Sequence, residues 1–290
     1  MLPPQHLHIP STSSNPYFFD QLRLMRLQES TTYRISRDFL GDPRKQILSW
    51  AFQVVDSCKI DRQVAISAIT YLDRFLAGCD CRSLEDVLSS KQDFQTCFVA
   101  CLLIAIKNCA GMNVKMQSVS ELFCPSGMYD EDKISRMEIK VLRGLSWKLN
   151  GPTAMDFVHA FLQMLPAQSA YTIDLLTAAA KAQVENAMLD SRLALQEPSS
   201  IAYSSILFAI DCLDSKNYGR PVVHPYDRLE WMQSISIIAS INADDASIRY
   251  TRSILVENSP VCKVKTSKAH VIYDCEPTAG DYLALLANLQ

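Results

Sequence analysis

Apolar residues recur every three or four positions along most of the chain, without sustained alternation of apolar and polar residues. This spacing predicts amphipathic helices rather than strands. The helical stretches fall into two successive sets of about five, and the sequence NGP at residues 150–152 is expected to break the chain between them. The sequence therefore predicts an all-α fold, with an N-terminal helix followed by two tandem five-helix domains.

Composition shifts set the expected boundaries of these domains. The Pro- and Ser-rich residues 1–16 are expected to be disordered. An N-terminal helical segment follows at 17–40, the first domain at 41–150 and the second at 151–257. The polar residues 258–290 form a tail.

Three stretches of the first domain have distinct sequence patterns. The helix expected at 93–107 is apolar nearly all round, so it should be central. The polar stretch 78–92 is expected to be a loop with at most a short helical turn. A short helix is expected at 117–123.

Charge and glycine content argue against several functional classes. The net charge of −3 is unlike that of most proteins that bind nucleic acid through phosphate contacts. The eight glycines form no GxxxxGK[ST] or GxGxxG loop, and no HRD-like motif is present, so the sequence offers no catalytic site. No metal site or cofactor is expected, because the pair Cys79-x-Cys81 lacks a second pair of ligands.

The cysteines and the apolar runs indicate the compartment. Several of the ten cysteines lie inside apolar runs, as reduced thiols do in protein cores. The N-terminus lacks the pattern of a secretory signal, and no apolar run is long enough to span a membrane. We therefore expect an intracellular, reducing environment.

The stretch YLDRFL at 71–76 places Asp73 beside an arginine within an otherwise apolar helix. A buried carboxylate without a partner costs several kcal/mol. Either Asp73 has a buried cationic partner or it lies on a solvated helix face.

Four segments together resemble the cyclin box. They are PRKQILSW (43–50), YLDRFLA (71–77), ACLLIAIK (100–107) and ISRMEIKVLRGLSWKLNGPTAMDFVHAFL (134–162). Their order and register match the family, and their sequences are closest to cell-cycle types with a D-like character. Over 163–256 the resemblance is architectural, as a second five-helix repeat.

The resemblance implies a partner for Asp73 and a kinase-binding pair. Arg44 would form a structural ion pair with Asp73. Lys107 and Glu138 match the lysine and glutamate with which cyclins bind a cyclin-dependent kinase. The alternative is that Lys107 and Glu138 form an ordinary intramolecular ion pair, which contributes under about 1 kcal/mol.

A second surface implied by the resemblance is a groove that binds Arg-x-Leu-type docking peptides of substrates. Its residues here would be Ile47, Trp50, Gln53, Phe94 and Gln95. The alternative is that Trp50 is only a core aromatic residue.

Several positions depart from the family pattern. Pro43 and Gln46 replace the methionine and the apolar residue usual in the groove, and Thr96 replaces a leucine. Asn108 and Cys109 follow the kinase-binding lysine, where an acid is common, so kinase preference can differ.

The resemblance implies a regulatory subunit that binds and activates a cyclin-dependent kinase in cell-cycle control, without enzymatic activity of its own. The expected location is nuclear, cytoplasmic or both, without direct contact to nucleic acid or membrane. Ser259, before a proline, is a candidate phosphorylation site. The alternatives are a transcription-related cyclin and a cyclin-fold transcription factor module.

Overall fold

The computed structural model describes residues 17–32, 42–78, 81–109, 131–166, 168–216 and 221–258. Within these ranges the chain forms eleven α-helices and no strand, so the predicted all-α class is confirmed. The helices are α1 (Phe18–Thr32), α2 (Asp42–Ser57), α3 (Gln63–Gly78), α4 (Cys81–Leu88), α5 (Lys91–Cys109), α6 (Glu131–Gly144), α7 (Ala154–Gln163), α8 (Ala170–Leu189), α9 (Pro198–Lys216), α10 (Pro225–Ala239) and α11 (Ala246–Asn258). One helix thus precedes two successive sets of five, α2–α6 and α7–α11.

Each set surrounds a helix that is buried on almost every side. Every residue of 64–73 in α3, of 96–106 in α5 and of 198–210 in α9 is buried. Helix α3 packs against α5 and α5 against α6, whereas α9 packs against α7 and α8. Burial of these apolar helices is the main favourable contribution to folding. The prediction that the helix at 93–107 is central is confirmed.

The connection between the two sets contains a strained helix end and a well-capped helix start. Ser146 and Trp147 follow α6 with left-handed φ values of 51° and 59°. The Trp147 N–H donates to the Leu142 carbonyl at 2.9 Å, the six-residue hydrogen bond of a Schellman motif. Helix α7 starts at a capping box in which Thr153 and Asp156 satisfy each other's backbone N–H groups.

The expectation of a loop at 78–92 is wrong in its middle, where the chain forms helix α4. This helix packs against α5 and buries Val87 completely. Leu84, Val87 and Leu88 are spaced as on one face of a helix, so the sequence carries a helical signal within its mostly polar composition. The short helix expected at 117–123 lies outside the described residues.

Helix α1 is joined to the second set of helices through Arg26 and Glu29, which we call the α1 clasp. Arg26 donates to the carbonyl of Ala239 at the end of α10 (3.2 Å) and to the Glu197 carboxylate (2.8 Å). Glu29 is fully buried and accepts hydrogen bonds from the Ser199 N–H (2.6 Å) and hydroxyl (2.9 Å) in the first turn of α9. A cation thus meets a helix C-terminus and an anion a helix N-terminus, as the helix dipole favours.

Two further ion pairs connect the α2–α3 connection with α8. Lys181 lies 2.7 Å from the Asp61 carboxylate and Arg62 lies 3.0 Å from that of Glu185. All of the described chain up to Glu257 belongs to one compact unit. The domain boundaries expected from the sequence stay predictions.

Candidate functional site

The structure brings Arg44 and Asp73 together inside the protein. Arg44 Nη2 lies 3.0 Å from Asp73 Oδ2, and the two side chains are 2% and 4% exposed. Arg44 Nη1 also donates to the carbonyl of Met188, near the end of α8, at 2.6 Å. One guanidinium therefore joins α2, α3 and α8, and an exposed Asp73 on a solvated helix face does not describe this structure.

The environment of this pair makes it structural rather than reactive. Burial raises the pKa of the Asp73 carboxyl, and the charge and hydrogen bonds of Arg44 oppose that rise. Burial likewise raises the pKa of the neighbouring Cys101 thiol well above its usual range, with Cys97 and Asp73 adding to the effect. The thiol of Cys101 therefore stays protonated and is a poor nucleophile.

The structure also brings Lys107 and Glu138 together, at the surface. Lys107 lies in the last turn of helix α5, and its Nζ lies 2.6 Å and 2.9 Å from the two carboxylate oxygens of Glu138 on α6. The lysine side chain is 48% exposed and the glutamate side chain 16% exposed. The two groups thus form an ion pair that a partner could reach.

Apolar side chains lie near Glu138 on α6 and just after the end of that helix. Leu142, one helical turn after Glu138, is half-buried, Ile139 is exposed, and Trp147 is 65% exposed. A tryptophan in water leaves a large apolar surface that association could bury. In the sequence Trp147 was noted only as part of a family motif, and its exposure to solvent was not predicted.

Five residues were predicted to line a docking groove, namely Ile47, Trp50, Gln53, Phe94 and Gln95. Ile47, Trp50 and Phe94 are half-buried against the core, and the Trp50 ring meets the Phe98 ring edge-on at 6.1 Å. Gln53 is exposed and Gln95 half-buried. Trp50 is thus partly a core residue, and binding at this place remains a prediction.

A group of polar side chains beside Lys107 was not predicted. Asn108 Nδ2 donates to the Tyr71 hydroxyl (3.2 Å) and to Asn150 Oδ1 (3.1 Å). Nearby, Arg74 Nη2 donates to the Lys148 carbonyl at 2.8 Å. The connection after α6 is therefore fixed to α3 and α5. The only sequence signal was the departure from the family pattern at Asn108.

The remaining expectations concern residues in several parts of the chain. Ser259, the tail, residues 1–16 and Cys79 lie outside the described residues. Among the residues that the structure describes, no three His, Cys, Asp or Glu side chains are close enough to hold a metal ion. None of the described helices is both long and apolar enough to cross a membrane.

Comparison with known proteins identifies similar sequences. The family model of the cyclin N-terminal domain matches residues 17–150. The chain is 26% identical over 181 residues to G1/S-specific cyclin-D2 of Rattus norvegicus, with 61% of this chain and 57% of that protein aligned. It is 25% identical over 185 residues to G1/S-specific cyclin-D1 of Homo sapiens, covering 63% and 58%. It is 27% identical over 200 residues to Cyclin-A1-4 of Oryza sativa subsp. japonica, covering 66% and 53%. The matched part is less than two thirds of each relative's length.

Comparison with solved structures identifies a similar fold. The X-ray structure of a viral cyclin from herpesvirus saimiri superposes with a TM-score of 0.61 at 19% identity. The match covers 84% of this chain and 98% of the viral chain. The cyclin resemblance and the all-helical fold predicted from the sequence are confirmed.

Proposed function

We propose that this chain, whose residues 17–150 match the model of the cyclin N-terminal domain, acts as a cyclin that binds and allosterically activates a cyclin-dependent protein kinase in cell-cycle control. The observation that carries this proposal is the ion pair between Lys107, which is half exposed, and Glu138, which is mostly buried, at the surface of α5 and α6. A protein of this kind regulates the kinase and supplies no catalytic group itself.

The chemistry of the pair suits it to bind a partner's backbone. An exposed ion pair contributes under about 1 kcal/mol to folding, so stability does not require it there. The ammonium of Lys107 has three donors and the carboxylate of Glu138 has several acceptor positions. The positive end of the pair lies at the C-terminus of α5, where the helix dipole favours a cation.

The apolar side chains near the pair would supply the rest of the binding free energy. Association buries apolar surface, and aromatic anchors beside a few polar contacts dominate many interfaces. Trp147 and Leu142 are the candidates for such anchors, because they are exposed and half-buried, respectively. A stable complex of this type would bury roughly 2,000 Å² or more.

The mechanism follows from what a kinase requires for phosphoryl transfer. The glutamate of the kinase's mobile helix must pair with the kinase's catalytic lysine, and the position of that helix determines whether this ion pair forms. A cyclin surface that packs on the helix stabilises the active arrangement, so binding and activation are coupled. We also propose that the protein is a cyclin of D-like character and that it is located in the nucleus, the cytoplasm or both.

Recruitment of substrates through an Arg-x-Leu-type peptide at Trp50 is a further part of the proposal. The half-buried ring of Trp50 and the exposed Gln53 offer an apolar and a hydrogen-bonding contact. Pro43 and Gln46 are both exposed and less suited to an apolar groove. We therefore expect such peptides to bind more weakly than the kinase does.

Activation of candidate cyclin-dependent kinases by the purified full chain tests the proposal. The variant Lys107→Ala/Glu138→Ala is compared with wild type and with Lys181→Ala/Asp61→Ala, a matched exposed ion pair elsewhere. We expect kinase binding and activity to fall at least about tenfold in the first variant only. Trp147→Ala is expected to weaken binding as well.

The folded state of each variant is checked by its urea unfolding midpoint. Unchanged activation by a folded Lys107→Ala/Glu138→Ala variant would rule out this pair as the interface. Absence of binding by the folded wild-type chain to every kinase would rule out the proposed function.

A further inference from the structure

The outer face of helix α6 is positively charged. Arg136 and Arg143 each lie two positions, or about 200° around the helix, beyond a buried residue. These buried residues are Ile134 and Val141, which pack in the core. Both arginines therefore point away from the core, and both are exposed.

Two lysines and one apolar residue complete this face. Lys133 and Lys140 each lie one helical turn from an arginine, and Ile139 lies one turn from both arginines. The Ile139 side chain is 47% exposed. We call the surface formed by Lys133, Arg136, Ile139, Lys140 and Arg143 the basic face of α6. It carries no acidic residue, although the whole chain has a net charge of −3.

The two lysines of the basic face have carboxylate partners within the chain. Lys133 Nζ lies 2.7 Å from the Asp93 carboxylate on α5, and Lys140 Nζ lies 3.5 Å from that of Asp86 on α4. The Asp86 side chain is 76% exposed, and so long and open a contact contributes little to folding. Lys140 is therefore available to a second carboxylate.

The two arginines have no such partner. Arg136 Nε donates to the backbone carbonyl of Asp132 at 3.1 Å, but no carboxylate of the described residues forms an ion pair with Arg136 or Arg143. Like charges one turn apart repel, so the neighbouring lysines do not favour Arg136. The helix dipole favours Arg143 in the last turn of α6 but has little effect on Arg136 in the middle. The stability of the helix therefore does not explain this face.

The basic face matches an acidic peptide in chemistry and in spacing. A guanidinium group donates two parallel hydrogen bonds to a carboxylate, which makes this ion pair strong and specific. We propose that the basic face of α6 binds an acidic segment of a protein partner, in which two carboxylates flank an apolar residue. The Cα atoms of Arg136 and Arg143 lie two turns, about 10 Å, apart, with Ile139 between them. In an extended segment, the residues two before and two after the apolar residue share its side and lie about 13 Å apart.

Nucleic acid and anionic lipid also attract cations, but this face suits them less. Affinity for nucleic acid comes mainly from many phosphate contacts, whereas two arginines and one lysine are available here. Ile139 lies exposed at the centre of the face, where it can bury an apolar side chain of a peptide but offers nothing to a phosphate.

Binding of short peptides to the full chain tests the proposal. The probe is a fluorescein-labelled peptide with the core Glu-Ser-Leu-Ser-Glu, and two control peptides carry Gln or Lys in place of both Glu residues. We expect the wild-type chain to bind the Glu peptide at least about tenfold more tightly than the Gln peptide, with an affinity that falls as salt is added. Equal affinity for these two peptides would overturn the proposal, as would tighter binding of a DNA duplex or of vesicles that contain anionic lipid.

Exchange of charges between protein and peptide tests the two arginines. In Arg136→Glu/Arg143→Glu the preference should reverse, so that the Lys peptide binds at least about tenfold more tightly than the Glu peptide. The matched control Arg23→Glu/Arg249→Glu makes the same change in net charge at exposed arginines of α1 and α11 and should keep the wild-type preference. A reversed preference in both variants, or in neither, would overturn the proposal.

The urea unfolding midpoint shows whether each variant is folded. If the charge-reversed variant does not fold, Arg136→Gln/Arg143→Gln takes its place, because it only removes the two charges. It should lose the preference for the Glu peptide over the Gln peptide, and an unchanged preference would overturn the proposal.

This proposal goes beyond the proposed function and does not depend on it. Glu138 lies about 200° around α6 from both Arg136 and Lys140, so a kinase bound at Lys107 and Glu138 leaves these cations open. The peptides are tested without a kinase, so their failure to bind would refute the basic face alone and leave the proposed function to its own test.

Discussion

Replacement of Arg44 by methionine removes the cation that joins α2, α3 and α8 while keeping an apolar stem of similar length. The carboxylate of Asp73, whose side chain is 4% exposed, is then buried without a partner. Breaking a buried pair in this way costs about 3–5 kcal/mol. The Met188 carbonyl also loses its 2.6 Å donor, which adds about 1 kcal/mol. The total is a large part of the stability of a typical domain, about 5–15 kcal/mol.

Urea unfolding followed by circular dichroism measures this loss, with Asp73→Leu and the double variant Arg44→Met/Asp73→Leu alongside. The double variant leaves no uncompensated charge, so it should be more stable than Arg44→Met alone. The coupling free energy of the pair is the loss in the double variant minus the sum of the losses in the two single variants. Additive losses from the two single variants would refute the conclusion that Arg44 and Asp73 stabilise each other.

The pH dependence gives an independent check. Burial raises the folded-state pKa of Asp73, and Arg44 opposes that rise. Without Arg44 the folded-state pKa of Asp73 is higher still, so stability is gained as the pH falls through that pKa and lost as the pH rises through it. The loss in Arg44→Met should therefore be smaller at about pH 5 than at neutral pH. An equal loss at both values would show that the Asp73 charge is not its cause.

Two further predictions concern packing and the α1 clasp. A Cβ at Gly144 would lie 2.6 Å from the buried Phe75 ring, whereas a Cβ at Gly78 would meet nothing closer than 4.0 Å. Gly144→Ala should therefore lower the unfolding free energy by about 1–3 kcal/mol, and Gly78→Ala should not; equal unfolding midpoints would contradict this. Glu29→Ala should cost about 2 kcal/mol, because the N–H of Ser199 loses a charged acceptor. Faster proteolysis within α1 should accompany it, and unchanged protection of α1 would contradict the clasp.

Some features follow from local sequence patterns or from the resemblance to cyclins. An Asp within an apolar helix indicates a cationic partner, the resemblance implied Arg44, and the structure places Arg44 beside Asp73. The nearly continuous apolar character of the helices at 93–107 and 198–213 indicates burial on every side, and most of α5 and α9 is buried in this way. The Lys107–Glu138 contact followed from family motifs rather than from spacing.

Other features depend on geometry that one-dimensional patterns do not contain. Periodicity reports which face of a helix is buried but not which element covers it, so the contact of Glu29 with Ser199 was missed. The hydrogen bonds of Asn108 to Tyr71 and Asn150 join three elements whose approach is set by the whole fold. Helix α4, which packs on α5, was missed because polar residues surround its few apolar positions.

The α1 clasp has a consequence for the order of events during biosynthesis. Glu29 and its hydrogen-bond donor Ser199 are separated by 170 positions along the chain. At a synthesis rate of about 5–20 residues per second, α1 waits roughly 10–30 s on the ribosome before α9 exists. During that interval the apolar face of α1 that carries Leu22, which is fully buried in the folded protein, is exposed and can bind chaperones. Helix α1, although synthesised before the other described helices, is therefore among the last to reach its final environment.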